Sequence, residues 1–358
     1  MKAGRPIKEL AVELERQELA KRDFVANTKL MEFVPAEQDF MLKLFLEGEP
    51  VDDGFTLEPL AHRQMAERLK IPQRYYDRMM TEGPGLLSYN VNYWFRSNPE
   101  ERLIRTLDGK ARAFLSNRYR RLDNFDLMKQ AVIPVFTEIG GLDIASCEIT
   151  DSRLYIKAVT PRIQAEVRKG DVVQAGIVIS NSEVGLGAIK VEPLILRLAC
   201  INGMVVNDYG MRRYHVGKRV DGDDEKVREM FSDETLAADD KAFWLKARDI
   251  IKGSLTQDVF EKIVDTMRDA ADRRITVNPV KVIEVMANDL GLNAKETDGV
   301  LTSLLEAADL TQYGLVNAIT AASKNVESYD RATELERMGG DILTMSVKDW
   351  KDLQEEAA

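Results

Sequence analysis

Two strongly apolar, β-branched runs constrain this chain most: Gly176-Ile177-Val178-Ile179-Ser180 and Leu194-Ile195-Leu196-Arg197-Leu198-Ala199-Cys200-Ile201. Runs of this kind, bounded by Asn, Ser and Gly, mark buried strands joined by tight loops. A glycine-bearing loop, Asn181 to Gly187, lies between them, and a polar, basic exit (Met211-Arg212-Arg213-Tyr214-His215) follows. Arg197 is the odd residue in the second run. A guanidinium is rarely buried alone, so it either pairs with a carboxylate or points into a functional groove.

Around these runs the remaining segments read as an α+β chain. Residues 7–22 have helical composition with a thin apolar stripe (Leu10, Leu14, Leu19), and 23–34 read as a strand. Gly48 to Gly54 is a turn-rich acidic loop. Between Thr56 and Met80 the pattern predicts a helix pair, with Thr56 as cap and Pro72 breaking the run. A helix pair can read DNA, but it is far more often a packing unit. Leu86 to Phe95 reads as a short helix anchored by Trp94 and Phe95. Asp108-Gly109 between alternating runs predicts a hairpin, and a helix follows from Phe125 to Ile139. Strands are expected at 146–159 and 172–180, with 162–171 as their charged connection. After residue 220 the pattern turns helical, near 223–231, 233–252, 256–273, 279–289, 294–308 and 311–326, with a tail helix near 346–356. The expected architecture is a mostly antiparallel sheet with flanking helices, followed by a C-terminal helical region. It divides as 1–55 (helix and strand), 56–220 (α+β core) and 221–358 (mainly helical).

At 358 residues the chain has room for two domains. No window approaches the roughly 18 uninterrupted apolar residues of a membrane span, and the charged helix following Met1 is no signal peptide. Two cysteines, Cys147 and Cys200, are too few for a disulfide framework or a common zinc site. The expectation is a cytoplasmic protein without a cofactor and without a membrane partner.

Net charge is −10, which argues against a chain-wide polyanion binder, but the distribution is uneven. Seven basic residues (Arg102, Arg105, Lys110, Arg112, Arg118, Arg120, Arg121) fall between 102 and 121 against one acidic, Asp108, whereas 221–240 carries nine acidic residues against two basic. Lys110, Arg112, Phe114, Arg118, Tyr119, Arg120 and Arg121, joined by Arg197, Arg212 and Arg213, combine cations for phosphates with aromatic faces for bases. The bland alternative is that these arginines pair with nearby carboxylates or solvate edge strands.

Other constellations are weaker. The loop Asn181–Gly187 could cradle an anion on backbone N–H groups, but it lacks the lysine and spacing of a P-loop. A Cys200/His215/Asp208 nucleophile set can be drawn, yet Cys200 sits in the most apolar run, where a thiol is inert. Asp221-Gly222-Asp223-Asp224-Glu225 lacks the register of a calcium loop. Leu315, Val316, Ile319 and Ala322 form a helical apolar stripe, with Asn317 and Thr320 beside it.

Several phrases coincide with a known family. They are Ala113-Phe114-Leu115-Ser116-Asn117-Arg118-Tyr119-Arg120 with Leu122-Asp123-Asn124; Ile179-Ser180-Asn181-Ser182-Glu183-Val184-Gly185 with Leu196-Arg197-Leu198-Ala199-Cys200-Ile201-Asn202-Gly203-Met204; and Tyr313-Gly314-Leu315-Val316-Asn317-Ala318-Ile319-Thr320. The segment Lys70-Ile71-Pro72-Gln73-Arg74-Tyr75-Tyr76 joins them. On these residues the chain resembles the phage/plasmid-like proteins of the domain-of-unknown-function 932 family. The resemblance implies phages, prophages and conjugative plasmids, whose DNA is partly single-stranded. By analogy with strand-annealing proteins of such elements, it implies a non-enzymatic, homo-oligomeric binder of single-stranded DNA acting in annealing, recombination or protection. The alternative is an anti-defence or regulatory factor acting on a host protein, with the acidic 221–240 segment as a decoy or docking surface.

Overall fold

The computed structural model describes residues 1–37, 39–187, 189–206 and 233–358. The expected helix near 223–231, most of the acidic segment, and Asp208, Arg212, Arg213 and His215 lie outside these residues. The protein is α+β, with two antiparallel-rich sheets and a C-terminal helical region. The chain forms two compact units: Ala11–Phe125 with Ser182–Gly187, and Met1–Leu10, Asp126–Asn181 with Ala188–Ala358.

Helix α1 spans Ile7–Ala20. The first unit is then built on strands β1 (Arg22–Asn27), β2 (Met31–Pro35), β3 (Phe40–Leu46), β4 (Glu49–Pro50) and β5 (Phe55–Leu57), helices α2 (Pro59–Arg68), α3 (Gln73–Glu82) and α4 (Pro84–Ser97), and strands β6 (Glu101–Leu107) and β7 (Lys110–Ser116). Its sheet runs β1-β6-β7-β5-β3-β2, with β4 paired to β3. The hairpin β6–β7 turns on Asp108 and Gly109, both at positive φ (50° and 76°), as a two-residue primed turn requires. The segment 23–34 is two strands, not one. A short 3₁₀ turn, Thr28–Leu30, divides it where the Asn27 side chain accepts from Lys29 N–H. Thr56 is no helix cap. Its backbone is held in the sheet between Met41 and Lys110, and α2 opens on Pro59, whose missing N–H costs nothing at that position. Phe33, Leu42, Phe55, Met65, Tyr76, Val91, Phe95 and Phe114 share the core that joins these helices to the sheet.

Helix α5 (Asn124–Leu127) carries the chain from the first unit into the second, where a π turn (Met128–Val132) and α6 (Ile133–Ile139) follow. Strands β8 (Asp143–Ile149), β9 (Leu154–Glu166), β10 (Val172–Asn181), β11 (Lys190–Arg197) and β12 (Asn202–Val205) form an antiparallel sheet in the order β12-β11-β10-β9-β8. The region 146–159 therefore holds a strand, a turn and a second strand. The charged stretch after 160 mostly continues β9, whose distal half is largely exposed. The second apolar run stops as a strand at Arg197, and Ile201 at φ 50° turns the chain into β12. Strand β10 reads as a continuous apolar run because both its faces are covered: Val173 and Ala175 belong to one apolar cluster and Val178 to another.

Among the described residues seven helices follow: α7 (Asp233–Gly253), α8 (Gln257–Asp272), α9 (Pro279–Leu290), α10 (Ala294–Ala307), α11 (Gln312–Ala322), α12 (Tyr329–Leu343) and α13 (Val347–Glu356). Their starts are chemically marked. Asn293 with Glu296, and Ser346 with Asp349, form reciprocal capping boxes, while Thr311 and Ser328 cap α11 and α12. Helix α12 was not anticipated by the periodicity. Its buried face sets Thr333, Glu336, Gly339 and Gly340 among Ala332, Leu335, Ile342 and Leu343, which interrupts its apolar stripe. Glu336 is fully buried and is held 2.6 Å from the equally buried Lys157 ammonium of β9, as a buried charge must be paired.

Candidate nucleic-acid interface

The basic stretch 102–121 begins on β6, and its inner members are neutralised where they stand. Arg105 has no solvent exposure. It lies opposite Asp23 across the β1–β6 ladder. Its guanidinium reaches Asp23 at 3.0 Å and Asp123 at 2.6 Å, and donates to the Glu183 carbonyl at 2.9 Å. Lys21 joins from the end of α1, 2.5 Å from Asp123 and also bonded to Glu18. Burial pushes the Asp123 carboxyl upward, but Arg105 and Lys21 outweigh it and hold the pKa below the ordinary value. Burial likewise opposes the charge on Lys21, and its carboxylates prevail, raising its pKa.

Arg112 is turned into the same network by a β-bulge. Arg105 pairs with Ala113 and Thr106 with Ala111, which leaves Arg112 as the extra residue of β7. A bulge re-aims the side chain it carries, and here the guanidinium sits 2.7 Å from Glu183. The other Glu183 oxygen accepts the Asn124 N–H at 2.6 Å. Tyr119 donates its hydroxyl to the Ser182 carbonyl at 2.9 Å, and Gln64 donates to the Val184 carbonyl at 2.8 Å. Glu183 and its neighbours are thus a peg held by residues of β6, β7, α2 and the loop after β7. Gly185 completes the peg at φ +84°, where a Cβ would lie 2.6 Å from a Leu115 methyl. Two of the segment's own N–H groups are also engaged: Val184 and Leu186 donate to the Ser182 hydroxyl.

The remaining members of the predicted set fall in three places. Phe114 is in the core, stacked on Phe95 with ring centroids 5.9 Å apart, under the Arg102 guanidinium. Arg197, in the second unit, takes the pairing alternative: it is 2.6 Å from Asp171, whose other oxygen accepts the Tyr313 hydroxyl. Its Nη1 also donates to Cys200 Sγ at 3.1 Å. The outward residues are Lys110, which pairs with Glu58 at 2.7 Å, and the arginines of the loop after β7. In that loop Arg118 and Arg121 are exposed and Arg120 is half-buried. A tight turn fixes it, with Tyr119 N–H donating to the Ser116 carbonyl at 2.9 Å, and the Tyr119 hydroxyl anchors its middle. The network therefore presents a short arginine loop on a rigid base.

The sequence reading overlooked a second feature of this unit: exposed aromatic rings on α4, whose only signal is aromatic residues on both faces of one helix. Among the described residues no cluster of three or more His, Cys, Asp or Glu side chains is arranged to hold a metal ion, and no helix is long and apolar enough to cross a membrane.

The peg and the loop after β7 are both built from the phrases that carry the family resemblance. The model of the family described as Domain of unknown function (DUF932) matches residues 115–351. The chain belongs to that family. The match begins at Leu115, on the strand that leads into the arginine loop, and runs to Lys351 in α13. No curated protein and no solved structure matches this member of the family.

Proposed function

We propose that this DUF932 protein binds single-stranded nucleic acid, most readily DNA, and that it contributes to annealing, recombination or protection of mobile-element DNA without a chemical step. The observation that carries the reading is the loop Asn117–Arg121, whose three arginines sit on a rigid turn anchored by Tyr119. Cations held on a fixed base lose little conformational freedom when they meet phosphates, and binding to phosphates releases counterions. The inner basic residues act through this base. Arg105 and Arg112 hold the peg and the strand ends from which the loop projects, and they are not phosphate ligands themselves. An acidic chain can still bind a polyanion when one groove or loop opposes the net field.

The test is the salt dependence of binding to a labelled oligonucleotide. Each phosphate contact adds about 0.7 to the slope of log affinity against log salt for single strands. Arg118→Ala and Arg121→Ala are each expected to flatten the slope by about that amount, and Lys348→Ala, in the first turn of α13, to leave it unchanged. Unaltered slopes in both arginine variants would refute the assignment of the loop.

A further inference from the structure

Helix α4 carries apolar residues on both faces. Leu87, Val91 and Phe95 point into the core of the first unit. Yet Leu86, Tyr89, Tyr93 and Trp94 are exposed, Tyr89 by 69% and Tyr93 by 50%. A helix that is apolar all round is normally buried, and isolated exposed rings need no explanation, whereas a contiguous row of them marks an interaction surface. These rings are ordered against one another. Tyr89 and Tyr93 lie nearly parallel (26°) with centroids 6.4 Å apart, and Trp94 meets Tyr93 edge-on at 5.2 Å.

The chemistry of the row distinguishes a base-stacking surface from a greasy protein contact. Helix α4 has no carboxylate along its length and one cation, Arg96. Three of its four exposed apolar side chains are Tyr or Trp, and Asn90 lies among them. Of the carboxylates that flank the helix, Glu82 pairs with Arg78 at 2.7 Å and Glu100 with Arg102 at 2.6 Å and with Arg68, while Glu101 accepts from the Asn117 amide. A polyanion approaching the rings meets no unpaired carboxylate on the helix itself.

The topology then joins this row to the arginine loop. Strand β6 starts at Glu101, four residues after α4 ends, so the two ends lie within about 14 Å. Across the ladder Arg102 pairs with Ser116, and the Asn117 side chain donates to Glu101 at 3.3 Å. The C-terminal end of α4 and the root of the arginine loop therefore emerge from the same end of the β6–β7 hairpin.

We infer that the exposed aromatic face of α4, Tyr89, Tyr93 and Trp94 with Leu86, is a base-stacking platform for a single strand whose phosphates are held by the Arg118–Arg121 loop. This rests on the nucleic-acid reading above and adds the surface that receives the bases. Stacking on rings is tolerant of sequence, because every base has a π face.

The experiment titrates fluorescein-labelled oligothymidylate, and an abasic strand of the same length, against wild type, Tyr89→Ala, Tyr93→Ala and Tyr93→Phe, following anisotropy at several salt concentrations. These side chains are exposed, so the folded state tolerates their loss; near-unchanged thermal unfolding verifies it. Loss of one stacked base is expected to weaken oligothymidylate binding roughly 5- to 150-fold in each alanine variant. Tyr93→Phe is expected to bind as wild type does. The abasic strand is expected to show the same affinity for all four proteins, with the salt slope unaltered. Salt-sensitive binding that does not change in either alanine variant would overturn the platform and leave the arginine loop standing. Wild type that binds neither strand would overturn both. Alanine variants that bind normally but sediment as smaller species would assign the row to contact between copies of the chain instead.

Discussion

The peg network makes a sharp prediction about which of its charges depends on which. In Arg105→Leu the guanidinium is replaced by an apolar side chain of smaller volume, and three acceptors lose their donor. The two carboxylates are not left equally exposed to the loss. Asp123 keeps Lys21 at 2.5 Å, whereas Asp23 keeps Arg121 only at 3.9 Å. Removing one partner of a buried ion pair costs about 3–5 kcal/mol, because the other charge stays buried and uncompensated. At 1.36 kcal/mol per factor of ten, that corresponds to a roughly 10²- to 10⁴-fold faster opening of the β1–β6 pair. Hydrogen-exchange mass spectrometry of peptides covering 22–27 and 101–116 measures it locally, which suits a chain of two units for which a single global unfolding energy is ill-defined. Adding Asp23→Asn to Arg105→Leu should recover a large share of the lost protection, and adding Asp123→Asn much less. Equal rescue by both, or wild-type exchange in Arg105→Leu, would refute the assignment of Arg105 as the charge that holds β1 to β6.

Two further outcomes follow from the same physics. Gly340→Ala should destabilise the contact of α12 with β12 by roughly 1–3 kcal/mol or more, because its Cβ would lie 1.9 Å from the Val205 carbonyl oxygen; the gain in helix propensity is only about 1 kcal/mol. Faster exchange of a 329–343 peptide checks it, and unchanged or slower exchange contradicts it. Asp123 titrates below its ordinary value when folded, so the unfolded chain binds its proton more readily. The stabilisation it supplies is therefore complete above the ordinary carboxylate pKa of about 4 and is lost as pH falls below it; acid unfolding of Asp123→Asn, followed by exchange of the 101–116 peptide, should be correspondingly less steep below that pH.

What could be read from the sequence was local. The Asp108–Gly109 hairpin, the break at Pro72 and most C-terminal helices follow from turn chemistry and capping residues a few positions apart. The pairing of Arg197 was foreseeable from the cost of burying a lone guanidinium, although its partner Asp171 was not. What escaped depended on contacts distant in sequence. Arg105 finds Asp23 across 82 positions, and Arg112 is aimed at Glu183 by a bulge that no composition reveals. Phe114 looked like a stacking face because alternation alone does not say which side of β7 the helices cover. Helix α12 was hidden because Glu336 and the glycine pair interrupt its stripe, the former answering Lys157 and the latter the close approach of β12. The aromatic row of α4 was hidden for the opposite reason: rings in a helix read as core, and only burial separates Phe95 from Tyr93.

The proposal that this chain binds single strands is tested most directly by wild-type protein alone. Labelled single-stranded DNA, the matched duplex and the matched RNA are titrated by fluorescence anisotropy at low and near-physiological salt. Saturable binding that prefers the single DNA strand and weakens steeply with salt is the predicted result. Flat titrations for all three at low salt would contradict it, and would leave the arginine loop as a surface of the fold with no polyanion to hold.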